Sequence, residues 1–225
     1  MKIVRELFWM FLGMLILSST AWSQDIGRWE IGLSYGWTFS DGVSGETAVL
    51  APDGNIYDRI DPKDSSSWGF TGEYFITPTY EVGFLFNRQK STLELGGTNT
   101  RAIGDMNVDN YDGTFSFNMG SVESPMRPFF MFGLGATHYG SVDFTFNGVP
   151  HTIDGNTKAS VTLGGGVKFY PARNFGVRLQ GRITPTYINT DEDGWWCDPF
   201  WGCYTVGNVQ YSNQFDFSGG VIIRF

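Results

Sequence analysis

Phe215-Asp-Phe-Ser-Gly-Gly-Val-Ile-Ile-Arg-Phe225 decides how the rest of the chain reads. Phe215, Phe217, Val221, Ile223 and Phe225 share one parity; Asp216, Ser218 and Arg224 share the other. Successive side chains of a strand point to opposite faces, so this is a strand with one face for hydrocarbon and one for polar groups. The edge of a soluble sandwich is the alternative home for such a strand.

The opposite end of the sequence narrows the choice. Lys2 and Arg5 precede an apolar run from Leu7 to Leu17, and Ala21-Trp22-Ser23 offers a cleavage triplet before Gln24. This pattern predicts a secretory signal peptide over residues 1–23 and a single domain over residues 24–225. The run falls short of the ~20 residues a membrane-crossing helix needs. Later apolar stretches are broken every second or third residue by Gly, Ser, Thr or a charge. An exported chain without a helical anchor is either a periplasmic protein or a barrel that crosses with strands.

Composition favours the barrel. Aromatic residues make up 17% of the chain, with 20 Phe, 10 Tyr, 8 Trp and 30 Gly. A soluble core lean on Leu, Ile and Val would not need so many rings, whereas a barrel spreads them over its lipid face and interfacial girdles. The net charge of −8 argues against nucleic acid as a partner. It suits a surface set among outer-membrane lipids and anionic lipopolysaccharide bridged by divalent cations.

Eight strands emerge from the alternation: Trp29 to Phe39, Trp68 to Ile76, Tyr80 to Arg88, one passing through Tyr111, Phe115 and Phe117, Phe129 to Tyr139, Ser160 to Tyr170, Phe175 to Tyr187, and Tyr211 to Phe225. The fold class expected is all-β, an eight-stranded antiparallel up-and-down transmembrane β-barrel. Adjacent Phe129 and Phe130 leave the parity of the fifth strand open. Met106 and Val108 sit opposite in parity to Tyr111, which reads as a bulge or loop base. With the N-terminus periplasmic, one girdle collects Trp29, Tyr74, Tyr80, Phe169, Phe175 and Phe225. The other collects Trp37, Trp68, Tyr111, Tyr187 and Tyr211.

The strand ending on Phe225 resembles the closing strand of Gram-negative outer-membrane barrels, whose terminal aromatic is read by the barrel-assembly machinery. Gly164-Gly-Gly-Val-Lys-Phe-Tyr170, the short turn after it and Phe175-Gly-Val-Arg-Leu-Gln-Gly-Arg182 are similar to the OmpA/OmpX-type small barrel family. That resemblance implies residence in the outer membrane of a Gram-negative bacterium and no cofactor. It says little about activity, because members of the family differ mainly in their loops.

The inward parity places Glu30, Glu73, Glu81, Asp112 and Asp216 against Lys168, Arg178, Arg182 and Arg224. An eight-stranded barrel leaves room only for side chains, and buried charges must pair. The expected arrangement is an ionic network that plugs the lumen, with Arg182 at its centre facing Glu30 and Glu73. A narrow polar conduit for small solutes, porin-like, is the alternative.

Individuality lies in the loops. The first, about Ser40 to Ser67, is acidic. The third holds Asn147-Gly148, a hairpin signal between Val142–Phe146 and Val149–Ile153. The fourth carries Cys197 and Cys203, six apart in an exported protein, where a disulfide is the expected pairing. The ring would gather Trp195, Trp196, Phe200 and Trp201, either as an exposed patch for an extracellular surface partner or as a lid on the barrel mouth. No metal site is expected, since no His accompanies the cysteines and Asp191, Glu192 and Asp193 lack calcium-loop spacing.

Catalysis finds no support in the inventory. His138 and His151 are the only histidines. Neither stands in the His-x-Ser pattern of the lipid A deacylase and phospholipase barrels. The leading expectation is a structural and surface-interaction barrel, with a small-solute channel second and an envelope lipid-modifying enzyme third.

Overall fold

A computed structural model describes residues 27–50, 56–121, 124–146, 149–188, 196–198, 202–204 and 210–225. The expected signal peptide lies outside the described residues. Fourteen strands follow in chain order: β1 (Trp29–Ser40), β2 (Val43–Leu50), β3 (Ile56–Pro62), β4 (Ser65–Phe75), β5 (Tyr80–Gly97), β6 (Arg101–Asn118), β7 (Met126–Tyr139), β8 (Val142–Phe146), β9 (Val149–Ile153), β10 (Asn156–Ala172), β11 (Phe175–Ile188), β12 (Trp196–Asp198), β13 (Gly202–Tyr204) and β14 (Gln210–Arg224). Eight of them close an antiparallel barrel in the order β1-β4-β5-β6-β7-β10-β11-β14, and β14 returns to β1. Closure leaves no strand edge facing lipid, which is the condition for a sheet to cross a bilayer.

Alternation fixes the two faces. On β14, Phe215, Phe217 and Val221 are exposed while Asp216, Ser218, Ile222 and Arg224 are buried. Rings meet at both ends of the wall: Trp29 lies 4.9 Å from Tyr74 at one, Tyr187 lies 5.9 Å from Tyr211 at the other. The short turns, which this architecture makes periplasmic, sit at the Trp29 end. One of them is closed by Gly120, whose φ of 87° is open to glycine without a Cβ clash. On β7 the open parity resolves with Phe129 inward, 1% exposed, and Phe130 outward, 62% exposed.

The extracellular side is longer than the sequence suggests. β5 and β6 each run 18 residues, and β3 pairs onto the upper part of β5 while β2 pairs onto β3. The expected bulge at Met106 and Val108 does not exist: β6 keeps register with β5 without a break from Gly104 to Phe117. Both residues point inward, on the parity of Asp112, and are buried with Leu93, Tyr139, Val142 and Ile153. The last two belong to the β8–β9 hairpin, which pairs only with itself and lies against β6 over the mouth. Where that hairpin covers the inside of the wall, the inward parity turns from polar to apolar. That change of polarity imitates a bulge in the sequence.

Asp61 belongs to this extracellular structure. Burial raises its carboxyl above the ordinary range, and the guanidinium of Arg59, paired with it, opposes the rise.

Candidate functional site

The lumen is filled by side chains in tiers. At the periplasmic floor, the fully buried Lys168 Nζ lies 2.7 Å from Glu30 Oε1, 2.9 Å from Glu73 Oε2 and 2.8 Å from Glu81 Oε2. The rings of Phe75 and Phe129 each stand 5.6 Å from the same ammonium. Arg178 Nη1 donates to Glu73 Oε2 at 2.7 Å, and its guanidinium lies 4.3 Å over Phe129. The Tyr170 hydroxyl donates to Glu30 Oε2 at 2.5 Å and accepts from Arg224 Nη2, which also reaches Glu30.

Register explains why these residues converge. Glu30 on β1 stands directly opposite Glu73 on β4, an arrangement of like charges that is unfavourable alone. Lys168 relieves it from across the lumen. The three carboxylates lie within 4.8 Å of one another, a spacing that would suit a divalent cation. The Lys168 ammonium already sits among them, so the set acts as its counter-charge.

A second tier is centred on Arg182 and Asp216, which are paired in register across β11 and β14. Arg182 donates to Asp216 Oδ1 from Nε at 3.1 Å and from Nη2 at 2.7 Å. Ser67, Thr38 and Ser218 complete the Asp216 carboxylate. The expectation that Arg182 would be central and meet Glu30 and Glu73 is therefore corrected. Those acids belong to Lys168, Arg178 and Arg224 at the floor, and Arg182 takes the acid beside it. Asp112 is buried with neither oxygen hydrogen-bonded.

Above lies an uncharged layer. Asn110 donates to Gln214 at 2.8 Å, and Thr137 donates to Asn110 at 2.7 Å while sharing a 2.9 Å bond with Thr186. The apolar cap of Leu93, Met106, Val108, Tyr139, Val142 and Ile153 follows. A path through the barrel would have to cross an ionic floor, an Arg–Asp tier, an amide and hydroxyl layer and a hydrocarbon lid.

Arg127 was missed in the sequence. It is buried and points inward, directly opposite Lys168 in register, and its Nη2 donates to the Pro78 carbonyl. The Arg127–Phe129–Met131 parity carried the signal, masked by the equally large Phe130. With Arg127 included, the inward charges number five acids and five bases.

In the fourth loop, the backbone sets Cys197 opposite Cys203 across β12 and β13. The side chains of both cysteines and of Trp196, together with Trp195, Phe200 and Trp201, lie outside the described residues. Phe225 is 58% exposed, and its backbone exchanges two 2.9 Å hydrogen bonds with Trp29. His138 faces outward and shares a 2.8 Å bond with Thr157.

The outer membrane protein beta-barrel domain family matches residues 10–219. Among solved structures, the chain is similar to the outer membrane protein OprG from Pseudomonas aeruginosa, at 14% identity and a TM-score of 0.64, covering 90% of this chain and 98% of that one. Neisserial surface protein A is similar at 12% identity and a TM-score of 0.54, covering 88% and 97%. The outer membrane protein AlkL, solved in lipid bilayers, gives 13% and 0.54, covering 92% and 95%. At these identities the likeness carries the fold alone. No curated protein matches the sequence significantly.

Proposed function

This chain belongs to the outer membrane protein beta-barrel domain family, and we propose that it serves there as a closed, non-enzymatic barrel presenting extracellular β-structure to a surface partner. The observation that carries this reading is Lys168. It is held by three carboxylates from β1, β4 and β5, and all four groups are buried from solvent. Opening the floor would require separating these charges, which costs several kcal/mol per unpaired ion. The residues that vary most freely in such an architecture are those of the extracellular hairpins, and here β2–β3, β5–β6 and β8–β9 rise together as one packed head. Outer-membrane lipids and lipopolysaccharide would contact the girdles, and the assembly machinery would read β14 and Phe225. The signal peptide over residues 1–23 delivers the barrel domain, residues 24–225, to that membrane.

Single-channel recording on the refolded protein tests the closed reading. The expected result is an electrically silent bilayer; steady, discrete openings would replace it with a small-solute channel.

A further inference from the structure

The upper aromatic girdle fixes the depth of the residues just above it. Trp68, Phe86 and Tyr111 stand side by side on β4, β5 and β6, with ring centroids 5.3 and 5.2 Å apart. Such rings settle at the headgroup level of a bilayer, here on the extracellular side. The next outward-facing pair, Arg88 and Asp109, stands directly opposite in register, about 7 Å further along the strands. Lys90 and Asn107 follow, again paired in register, and both are exposed. The outer wall thus sets two cations of β5 in the headgroup layer.

Arg88 is held in one orientation with half of its fork unused. Asp109, only 4% exposed, accepts from Nε and Nη2 through two bonds of 2.6 Å, and the Phe86 ring lies 5.8 Å from the guanidinium carbon. A guanidinium has a second edge, made by Nη1 and the remaining hydrogen of Nη2. Nη1 has no partner among the described residues, and the side chain is 36% exposed. Lys90 points the same way two residues on, with neither an ion pair nor a hydrogen bond among the described residues. The acids further out are occupied: Asp105 accepts from Thr92 at 3.4 Å, and Glu94 pairs with Lys63 at 3.1 Å. Asp109 cancels the charge of Arg88, so Lys90 gives the row its net positive charge.

We propose that Arg88, Lys90 and Asn107 form a site for a phosphate of the lipid A headgroup in the outer leaflet. The inference rests on the reading of this chain as an outer-membrane barrel whose β5–β6 end is extracellular, and it gives that barrel a specific lipid contact. The free edge of Arg88 matches two phosphate oxygens, Lys90 supplies the charge, and the Asn107 amide donates from the facing strand. Depth selects the source. A phosphate carried on acyl chains meets this row while its chains run down over the exposed rings of Phe84 and Phe115. A free phosphate gains nothing from that wall.

Titration of the detergent-solubilised barrel with bis-phosphorylated lipid A, the bound lipid counted by native mass spectrometry, tests the site. Replacing both Arg88 and Lys90 by Ala should raise the half-saturating concentration about tenfold, the loss of two exposed charge-assisted contacts. Arg88→Lys, which keeps the charge and loses the fork, should fall between that variant and the parent. Arg173→Ala, at an exposed periplasmic turn, should bind like the parent. Heat-modifiable mobility confirms that each variant is folded, and Lys90→Gln alone, at an exposed position, should still weaken binding severalfold. Unchanged binding in the double variant, or an equal loss in Arg173→Ala, would overturn the proposal. Equal affinity for phosphatidylglycerol, or displacement of lipid A by millimolar inorganic phosphate, would overturn the assignment to lipid A. Conductance is read separately, so failure of this site leaves the closed reading of the barrel standing.

Discussion

Lys168 on β10 and Glu73 on β4 stand on diametrically opposite walls of the barrel and are joined by a 2.9 Å salt bridge. Four seams separate the two strands in either direction round the wall. A bond between neighbouring strands adds little that the ladder does not already supply. A chord across the lumen sets the distance between opposite walls, and Lys168 makes three such reaches with one ammonium.

Lys168→Met should therefore be the most damaging single change inside the barrel. It leaves Glu30, Glu73 and Glu81 with two arginines and a tyrosine between them, and Glu81 loses its only ion-pair partner among the described residues. Removing one partner of a buried ionic set typically costs about 3 to 5 kcal/mol. The midpoint of urea unfolding, followed by the mobility of the folded band, reads the loss. A midpoint unchanged from the parent would mean that the floor is looser than its distances say.

Arg182→Ala should fall between that variant and Arg88→Ala. Asp216, once abandoned by Arg182, keeps the hydroxyls of Ser67, Thr38 and Ser218, so its exposure to an apolar interior is softened. Arg88 pairs with Asp109 through two bonds of 2.6 Å, but its side chain is 36% exposed, and pairs of that kind contribute about 0 to 1 kcal/mol. Equal urea midpoints for Arg182→Ala and Arg88→Ala would remove the argument that the Arg182–Asp216 tier holds the wall.

The contrast between Lys168 and Arg182 marks what was legible in the sequence. Which residues face inward follows from period two, and Glu30, Glu73, Glu81, Lys168 and Arg178 could be read directly. Which of them meet depends on the stagger of the strands, since closing a barrel shifts each strand against the next. Local spacing carries no record of that shift, so the sequence alone puts Arg182 at the centre, where Lys168 stands. Arg127 stayed hidden because Phe129 and Phe130 give either parity a large ring. Met106 and Val108 misled for a different reason. The rule of polar inside and apolar outside holds at membrane depth, and above it the β8–β9 hairpin provides a dry interior that wants hydrocarbon.

Deleting Phe225 should impair accumulation of the folded barrel while leaving export intact. Phe225 and Trp29 exchange both backbone hydrogen bonds at the closing seam, and its ring extends the lower girdle. The deletion opens the β1–β14 junction at its periplasmic end and removes the aromatic that the assembly machinery is expected to read. Heat-modifiable mobility of membrane fractions measures the folded form, and removal of the signal peptide measures export. Normal accumulation of the truncated barrel would count against both arguments.

The fourth loop offers the sharpest functional test. Antiparallel pairing sets Cys197 directly opposite Cys203 across β12 and β13, the kind of cross-strand neighbourhood in which a disulfide can close. Such a bond would hold Trp195, Trp196, Phe200 and Trp201 in a small ring with little freedom left to lose on binding, which is how preorganisation improves affinity. The two readings of that ring, lid or binding element, are no longer evenly matched. Val142 and Ile153 of the β8–β9 hairpin already cover the mouth over Leu93, Met106 and Val108, so a second lid has less to do. Replacing Cys197 and Cys203 together by Ser should leave barrel folding, urea midpoint and electrical silence unchanged while weakening association with cell surfaces or lipopolysaccharide-containing vesicles. Unchanged association combined with a lower midpoint or new conductance would make the ring part of the lid and end its assignment as the interaction element.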